Sequence, residues 1–351
     1  MIAPTRTARG KDCLISVVLP QYNEGAILTR LVELVEAAIV KCTDRYEIVF
    51  INDGSTDGSG ELLDEIAEAN GHVKVLHFSR NFGHQAAVQA GLEYARGDAV
   101  IVMDSDLQDD PKAIVDFVKQ WRDGADVVFA ERTKRKESLP KRVLFYSFYR
   151  LLNAISDTPI PNDAGNFGLL DRRAVDSIIA LKDTDRYFPG LRRWVGFKQV
   201  GVIVERLERH DENPRVSLKG LFRLAKSAVF SFSRFPLTMF YGIAGLSAAV
   251  FVVFAGFCLY HKVVTGLAVP GWTSVIMSAS FFGSLNALGI GILGEYVVRI
   301  YDQVRARPGY IVQRCTDDQA VDHHGRQVLD WLSNGVESAI DAKKPAVQSP
   351  R

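Results

Sequence analysis

The chain has 351 residues, with 42 Lys and Arg against 41 Asp and Glu and a net charge of +1. So even a balance excludes a protein that works through a global basic field, and no nucleic-acid partner is expected. Cys13, Cys42, Cys258 and Cys315 are scattered without a CxxC pair, which excludes a disulfide framework and a cysteine zinc site and fits a reducing compartment.

Met1 to Lys11 is polar and basic with no apolar core, so no secretory signal is expected. Ile15–Leu19 then reads as an apolar, β-branched strand. Ala26–Val40 reads as an amphipathic helix, with Leu28, Leu31, Leu34, Val35 and Ala38 at helical spacing. Tyr46–Ile51 is a second strand, Glu61–Asn70 a helix, Val73–Phe78 a strand and Gln85–Arg96 a helix. Ala99–Met103 is a strand, Pro111 opens the next helix, and Asp126–Ala130 is a further strand. Such alternation predicts a mostly parallel sheet covered on both faces.

From Val216 to Phe235 the pattern changes. Leu218, Phe222, Ala225, Val229 and Phe232 follow one helical stripe, and Lys219, Arg223 and Lys226 a neighbouring one. This predicts an amphipathic helix lying in a membrane interface. Leu237–Tyr260 and Gly271–Gly294 are each 24 residues without Asp, Glu, Lys or Arg. As helices each spans about 36 Å, enough for a hydrocarbon layer of about 30 Å. His261–Pro270 joins them, so a two-helix transmembrane hairpin is expected. Arg and Lys crowd the outer flanks while the connecting loop has only Lys262, which places both flanks on the cytoplasmic side. After Tyr310 the chain turns polar, with a short helix expected over Gln327–Ile340 and disorder over Lys343–Arg351. The expected organisation is a flexible N-terminus (1–12), a catalytic domain (13–215), a juxtamembrane helix (216–235), two spans (236–298) and a cytoplasmic tail (299–351).

The chemistry gathers where strands end. Val100-Ile-Val-Met-Asp-Ser-Asp106 delivers two carboxylates, Asp104 and Asp106, to the carboxyl edge of the sheet, where α/β folds bind ligands. Acids so close repel unless a positive charge sits between them, and a divalent cation on a diphosphate answers that need. Pro20-Gln-Tyr-Asn-Glu24 follows the first strand; Tyr22 offers a flat face for a base and Glu24 an acceptor for ribose hydroxyls. Asn52-Asp-Gly-Ser follows the second strand, and Asp53 is placed to accept an imide N–H. Arg80-Asn-Phe-Gly-His84 follows the third strand, and Arg132 the strand after the acid pair.

Further motifs run in order along residues 14 to 312: Ser79-Arg-Asn-Phe-Gly-His-Gln85, Met103-Asp-Ser-Asp-Leu-Gln108, Asn162-Asp-Ala-Gly-Asn-Phe-Gly168, Trp194-Val-Gly-Phe197, Gly294-Glu-Tyr296 and Arg307-Pro-Gly-Tyr310. Together they resemble the inverting family 2 glycosyltransferases of GT-A (Rossmann-like) fold, and more narrowly the polyprenyl-phosphate glycosyltransferases of dolichol-phosphate mannose synthase and bactoprenol glucosyltransferase type. The resemblance implies a nucleotide-sugar donor, UDP-linked, a polyprenyl (undecaprenyl) phosphate acceptor and residence in the cytoplasmic membrane, with a homo-oligomer, a tetramer in some relatives, as a further implication. It assigns Pro20, Tyr22, Glu24, Asp53 and Asp104 to the nucleotide, and Asp106 and Gln108 to Mg²⁺ or Mn²⁺. Arg132 would meet a phosphate and Asp163 the sugar or acceptor side. Lys141 and Arg142, in a basic run after the sheet, are candidates for the acceptor phosphate.

Two departures stand out. Asp110 precedes Pro111 where the family often has Pro, and is expected to cap the helix. His210-Asp-Glu-Asn-Pro214 replaces the usual Gly-Ser-x-Tyr step. Two rival readings are a processive polysaccharide synthase and a catalytically silent nucleotide-sugar-binding membrane protein. Against the first, Gly190 stands where a Gln-x-x-Arg-Trp motif would need Gln; against the second, Asp104, Asp106 and Gln108 are intact.

Overall fold

The computed structural model describes residues 9–132, 164–181, 183, 186–204, 235–260, 263–264, 271–305 and 307–317. Eight strands form one sheet: β1 (Ile15–Gln21), β2 (Tyr46–Asn52), β3 (Val73–Phe78), β4 (Ala99–Val102), β5 (Val127–Arg132), β6 (Ala164–Asp171), β7 (Gln199–Val204) and β8 (Val312–Cys315). Their order is β7-β5-β6-β4-β1-β2-β3-β8. β1 pairs parallel with β2 and β4, β2 with β3, and β5 with β7; β6 runs antiparallel to β4 and β5, and β8 antiparallel to β3. The sheet is therefore mixed, with a parallel centre.

Among the described residues, six helices cover it: α1 (Leu28–Ile39), α2 (Ser59–Ala69), α3 (His84–Tyr94), α4 (Ala113–Arg122), α5 (Arg172–Ile179) and α6 (Phe188–Trp194). The strand period of two sorts the central side chains into two cores. Val17, Leu19, Ile48, Phe50 and Ile101 face Leu31, Val35, Leu63, Phe117 and Trp121 on one side. Val18, Val49, Ile51, Val100 and Val102 face Ala87, Val88, Leu92, Val175 and Leu191 on the other. Burial on both faces explains why these strands read as continuous apolar runs.

The register pairs Gln21 with Asn52, Val18 with Val102 and Asn52 with His77, so the carboxyl ends of β1 to β4 emerge at one edge. The opposite edge carries a charged knot. Asp171 is fully buried and accepts from Trp121 Nε1 (2.9 Å), Arg9 Nη2 (2.8 Å) and Arg173 Nε (3.1 Å). Asp126 accepts from the same two arginines, at 2.8 and 2.6 Å. Arg9 is thus tied down within the stretch expected to be a flexible N-terminus.

β6, β7 and β8 are absent from the sequence reading, which leaves β8 in a polar tail. Its four residues, Val-Gln-Arg-Cys, are too few and too polar to announce a strand, yet they complete the β3 edge.

Two long apolar helices follow: α7 (Phe235–Tyr260, 26 residues) and α8 (Trp272–Arg305, 34 residues). Among the described residues, Met277–Arg305 is the one stretch long and apolar enough to cross a membrane by length and composition; Phe240–Val253 is a shorter apolar stretch. Glu295 pairs with Arg299 one turn on, at 3.7 Å. The expected interfacial helix at 216–235 lies outside the described residues except for Phe235, as do Gln327–Ile340 and the His210–Pro214 loop.

Candidate active site

Four turns converge at the carboxyl edge. Each is fixed by side-chain bonds to its neighbour, so the site is a knitted surface rather than four separate loops.

The turn after β1 is locked to the turn after β2. Asn23, at φ 54°, occupies the left-handed region that Asn tolerates. Its Oδ1 accepts from Thr56 N (2.9 Å) and its N–H reaches Ser55 Oγ (3.0 Å). Ser55 Oγ donates to Gln21 Oε1 at 3.0 Å, and Asn52 Oδ1 accepts from Ser55 N at 3.0 Å. Asp57 accepts from Gly25 N at 3.3 Å and Ser59 N at 3.1 Å. Beneath them, buried His77 bridges Asn52 Nδ2 (3.0 Å) and Asp64 Oδ1 (3.1 Å). Burial, then the charge of Arg314, lowers the His77 pKa against the pull of Asp64, favouring the neutral ring.

Asp53 has a second task that the sequence does not announce. Its Oδ1 accepts from Phe82 N (2.6 Å) and its Oδ2 from Gly83 N (2.9 Å), clamping the turn after β3. Burial raises its pKa, and the two N–H bonds only partly offset that. Gly54, at φ +68°, lets the backbone of Arg80 and Asn81 approach closely; a Cβ there would lie 2.5 Å from Arg80 C.

The acid turn after β4 is anchored by Ser105 Oγ, which donates to Pro20 O at 2.8 Å. Asp106 Oδ1 accepts from Gln108 N at 3.1 Å, and Leu107 takes a left-handed φ of 56°. A branched side chain in that region costs about 1–2 kcal/mol and is held by its surroundings. Asp110 Oδ1 accepts from Lys112 N at 3.0 Å, which holds the turn before α4 instead of capping the helix as expected; the N-cap position falls to Lys112, with no side-chain cap bond.

These turns enclose an open cavity of about 460 Å³. Pro20, Tyr22, Glu24, Asp53, Asp104 and Asp106 all line it, so six of the residues singled out from sequence share one space. Gln108 is buried and is not among the lining residues. Arg132 ends β5, and the placement of its side chain lies outside the described part of the structure. Asp163, Lys141 and Arg142 also lie outside it.

In the sequence, His84 and Asn166 stand within motifs without a role of their own. Asn166 Nδ2 lies 2.6 Å from His84 Nε2 and 3.4 Å from Asp104 Oδ1, and both residues line the cavity. The available signal was a polar residue inside the glycine-flanked apolar run of β6. The lining carries four carboxylates and no Lys or Arg among its described residues. Equally, no cluster of three or more His, Cys, Asp or Glu among the described residues is placed to hold a metal alone. A site that supplies one or two carboxylates and leaves the other positions to phosphate oxygens and water suits Mg²⁺ or Mn²⁺.

A mixed α/β sheet with an acid pair at its carboxyl edge defines a domain of Rossmann-like build, whose ligand-binding crevice lies at that edge. The model of the family named Glycosyl transferase family 2 matches residues 16–179. The chain is 39% identical over 300 residues to the uncharacterized glycosyltransferase YkcC of Bacillus subtilis, covering 85% of this chain and 93% of that one. It is 36% identical over 301 residues to the bactoprenol glucosyl transferase of Shigella phage SfII, covering 86% and 97%. Among solved structures, a mannosyltransferase from Pyrobaculum calidifontis in complex with GDP-Man and Mn²⁺ aligns with a TM-score of 0.43 at 15% identity, over 85% of this chain and 87% of that one. The chain belongs to glycosyltransferase family 2.

Proposed function

We propose that this glycosyltransferase moves a sugar from a UDP-linked donor to undecaprenyl phosphate at the cytoplasmic face of a membrane, inverting the anomeric carbon. The observation that carries the reading is the acid-lined cavity at the sheet edge, in a chain that also holds long outward-facing apolar helices. Val253 on α7 is 73% exposed and Met277 on α8 is 68% exposed. So much apolar surface is costly in water and at home in lipid. We read α7 and α8 as the two spans of a hairpin, with 13–215 as the catalytic domain. The relatives named bactoprenol glucosyl transferases support a lipid-phosphate acceptor.

In this reading Tyr22 stacks on the base, Glu24 takes the ribose hydroxyls, and Asp53 meets the base while clamping the next turn. Asp104 would hold the nucleotide diphosphate, and Asp106 and Gln108 would hold a divalent cation beside it. When bound, that cation neutralises the departing diphosphate. Asn166 and His84, hydrogen-bonded beside Asp104, keep its carboxylate aimed into the cavity. The acceptor is a phosphate monoester with a second pKa of about 6, already an anion near neutral pH. The chain therefore needs no strong base; its task is to orient two anions and exclude water between them. Arg132 meets a phosphate of donor or acceptor, Asp163 lines the sugar or acceptor side, and Lys141 and Arg142 take the acceptor phosphate.

The test is sugar transfer in isolated membranes. Labelled UDP-glucose, UDP-N-acetylglucosamine and GDP-mannose are supplied with undecaprenyl phosphate, with and without EDTA. EDTA-sensitive label in the organic phase, lost in Asp106→Asn, is the expected result. No lipid label from any donor, from protein that binds nucleotide, contradicts the reading.

A further inference from the structure

The motif Arg307-Pro-Gly-Tyr310 lies beyond the second apolar helix and far in sequence from the cavity. We infer that Tyr310 is a positioning residue for the donor, and that the chain leaving α8 returns to brace the Arg80–His84 wall of the donor cavity. The inference rests on reading that cavity as the nucleotide-sugar site.

Tyr310 is 7% exposed and wedges between β3 and α3, the two elements that flank this wall. Its ring stacks on Phe78 of β3 at 5.0 Å and 14°. Phe78 in turn meets Phe82, inside the wall, edge-on at 5.7 Å and 88°. The Tyr310 hydroxyl donates to Glu93 Oε2 on α3, the helix whose first turn brings His84 and Ala87 to the cavity. Burial, then the neighbouring Glu93 carboxylate, pushes the phenol pKa well above its ordinary value, so the hydroxyl keeps the proton it donates.

The backbone that follows Tyr310 is fixed along its length. Ser79 N donates to Ile311 O at 3.0 Å, immediately before the wall. β8 then pairs with β3, and Thr316 exchanges bonds with Val75, its N–H reaching Val75 O at 3.0 Å and its Oγ1 accepting from Val75 N at 2.9 Å. Arg314 pairs with Asp64 at 2.6 Å, and Asp317 with Lys74 at 3.1 Å.

The wall contributes Asn81, Gly83 and His84 to the cavity. It is held from within by Asp53 and from behind by the Tyr310–Phe78–Phe82 stack. Tyr310 does not line the cavity, so it acts through Phe78 and α3. The cavity thus depends on chain that follows the apolar helices. A strand that merely covers the β3 edge would protect against aggregation without setting ligand affinity.

The two roles separate by affinity against amount of folded enzyme. Full-length protein in lipid nanodiscs is titrated with UDP and Mg²⁺, and the KM values for donor and lipid are measured. Loss of one aromatic pair predicts about threefold to tenfold weaker UDP binding for Tyr310→Ala, with an equal rise in donor KM and no change in lipid KM. Tyr310→Phe keeps the stack and is expected within about twofold of wild type. Gln313→Ala, exposed on the same strand and outside the stack, leaves UDP affinity unchanged. Phe82→Leu probes the stack from the wall side and reads the same loss if Tyr310→Ala does not fold. Wild-type UDP affinity in folded Tyr310→Ala or in Phe82→Leu overturns the inference. Failure of the wild-type chain to bind any nucleoside diphosphate overturns the donor-site reading, and the inference with it.

Discussion

Gly54 and Gly58 separate two costs that usually arrive together. Both have positive φ, +68° and +84°. Replacing either by Ala places a Cβ in the left-handed region at a cost of about 1–2 kcal/mol. At Gly58 the new methyl meets nothing within 4 Å. At Gly54 it would lie 2.5 Å from Arg80 C, 2.7 Å from Asn81 N and 2.9 Å from Arg80 Cα. Those atoms are backbone, held in place by Asp53 through Phe82 N and Gly83 N, so they cannot rotate away. Such overpacking adds about 1–3 kcal/mol. Gly54→Ala is therefore expected to destabilise by about 2–5 kcal/mol and Gly58→Ala by about 1–2 kcal/mol. The assay is a guanidinium titration of each purified variant, with UDP affinity measured alongside. Gly54→Ala should also weaken UDP binding, because relief of the overlap moves Asn81 and Gly83 out of the cavity wall. Equal stability losses in the two variants, or wild-type UDP affinity in Gly54→Ala, would refute the close approach as the reason for glycine there.

Three other outcomes follow from the same geometry. Burial pushes the Asp171 carboxyl up, but the bonds from Trp121 and Arg173 and the charge of Arg9 outweigh it and leave its pKa below the ordinary value. Its stabilisation is thus present above the unfolded carboxyl pKa of about 3.9 and is lost as pH falls through the lowered folded value. Asp171→Asn should cost about 1–3 kcal/mol at neutral pH, by weakening the bonds to Trp121, Arg9 and Arg173 while both arginines keep Asp126, and should flatten the acid limb of a stability–pH curve. Asp106→Asn should lower kcat by about 100-fold or more and reduce the gain in UDP affinity on adding Mg²⁺, read by calorimetry; an unchanged metal response would remove Asp106 from the cation. A Lys141→Ala, Arg142→Ala double variant should raise the lipid KM and spare donor KM, and unchanged lipid kinetics would exclude that pair from the acceptor site.

The sheet centre was legible because both its faces are buried. Ile15–Leu19, Tyr46–Ile51 and Val73–Phe78 read as apolar runs and fold as β1, β2 and β3; β1 runs on by two residues, β2 by one, and β3 has the same bounds. β6 and β8 were not legible. β6 is broken by Gly165, Asn166 and Gly168, residues that serve the cavity and close packing rather than strand propensity, and β8 is a short polar edge. In the site, carboxylates at strand ends pointed to the cavity, since acid pairs are rare there without a ligand. The left-handed turn at Leu107, the clamp made by Asp53 and the brace from Tyr310 depend on long-range contacts that no local pattern encodes.

The central claim is that the sugar goes to the phosphate of a membrane lipid. The most direct measurement gives purified enzyme labelled UDP-glucose and, in parallel, UDP-N-acetylglucosamine and GDP-mannose, with Mg²⁺ and either undecaprenyl phosphate or undecaprenol. The lipid product is then identified by mass. The account predicts one sugar added to undecaprenyl phosphate, from one of the donors and with none added to undecaprenol. Sugar on undecaprenol, a growing polymer, or no lipid product from an enzyme that binds the nucleotide would contradict it.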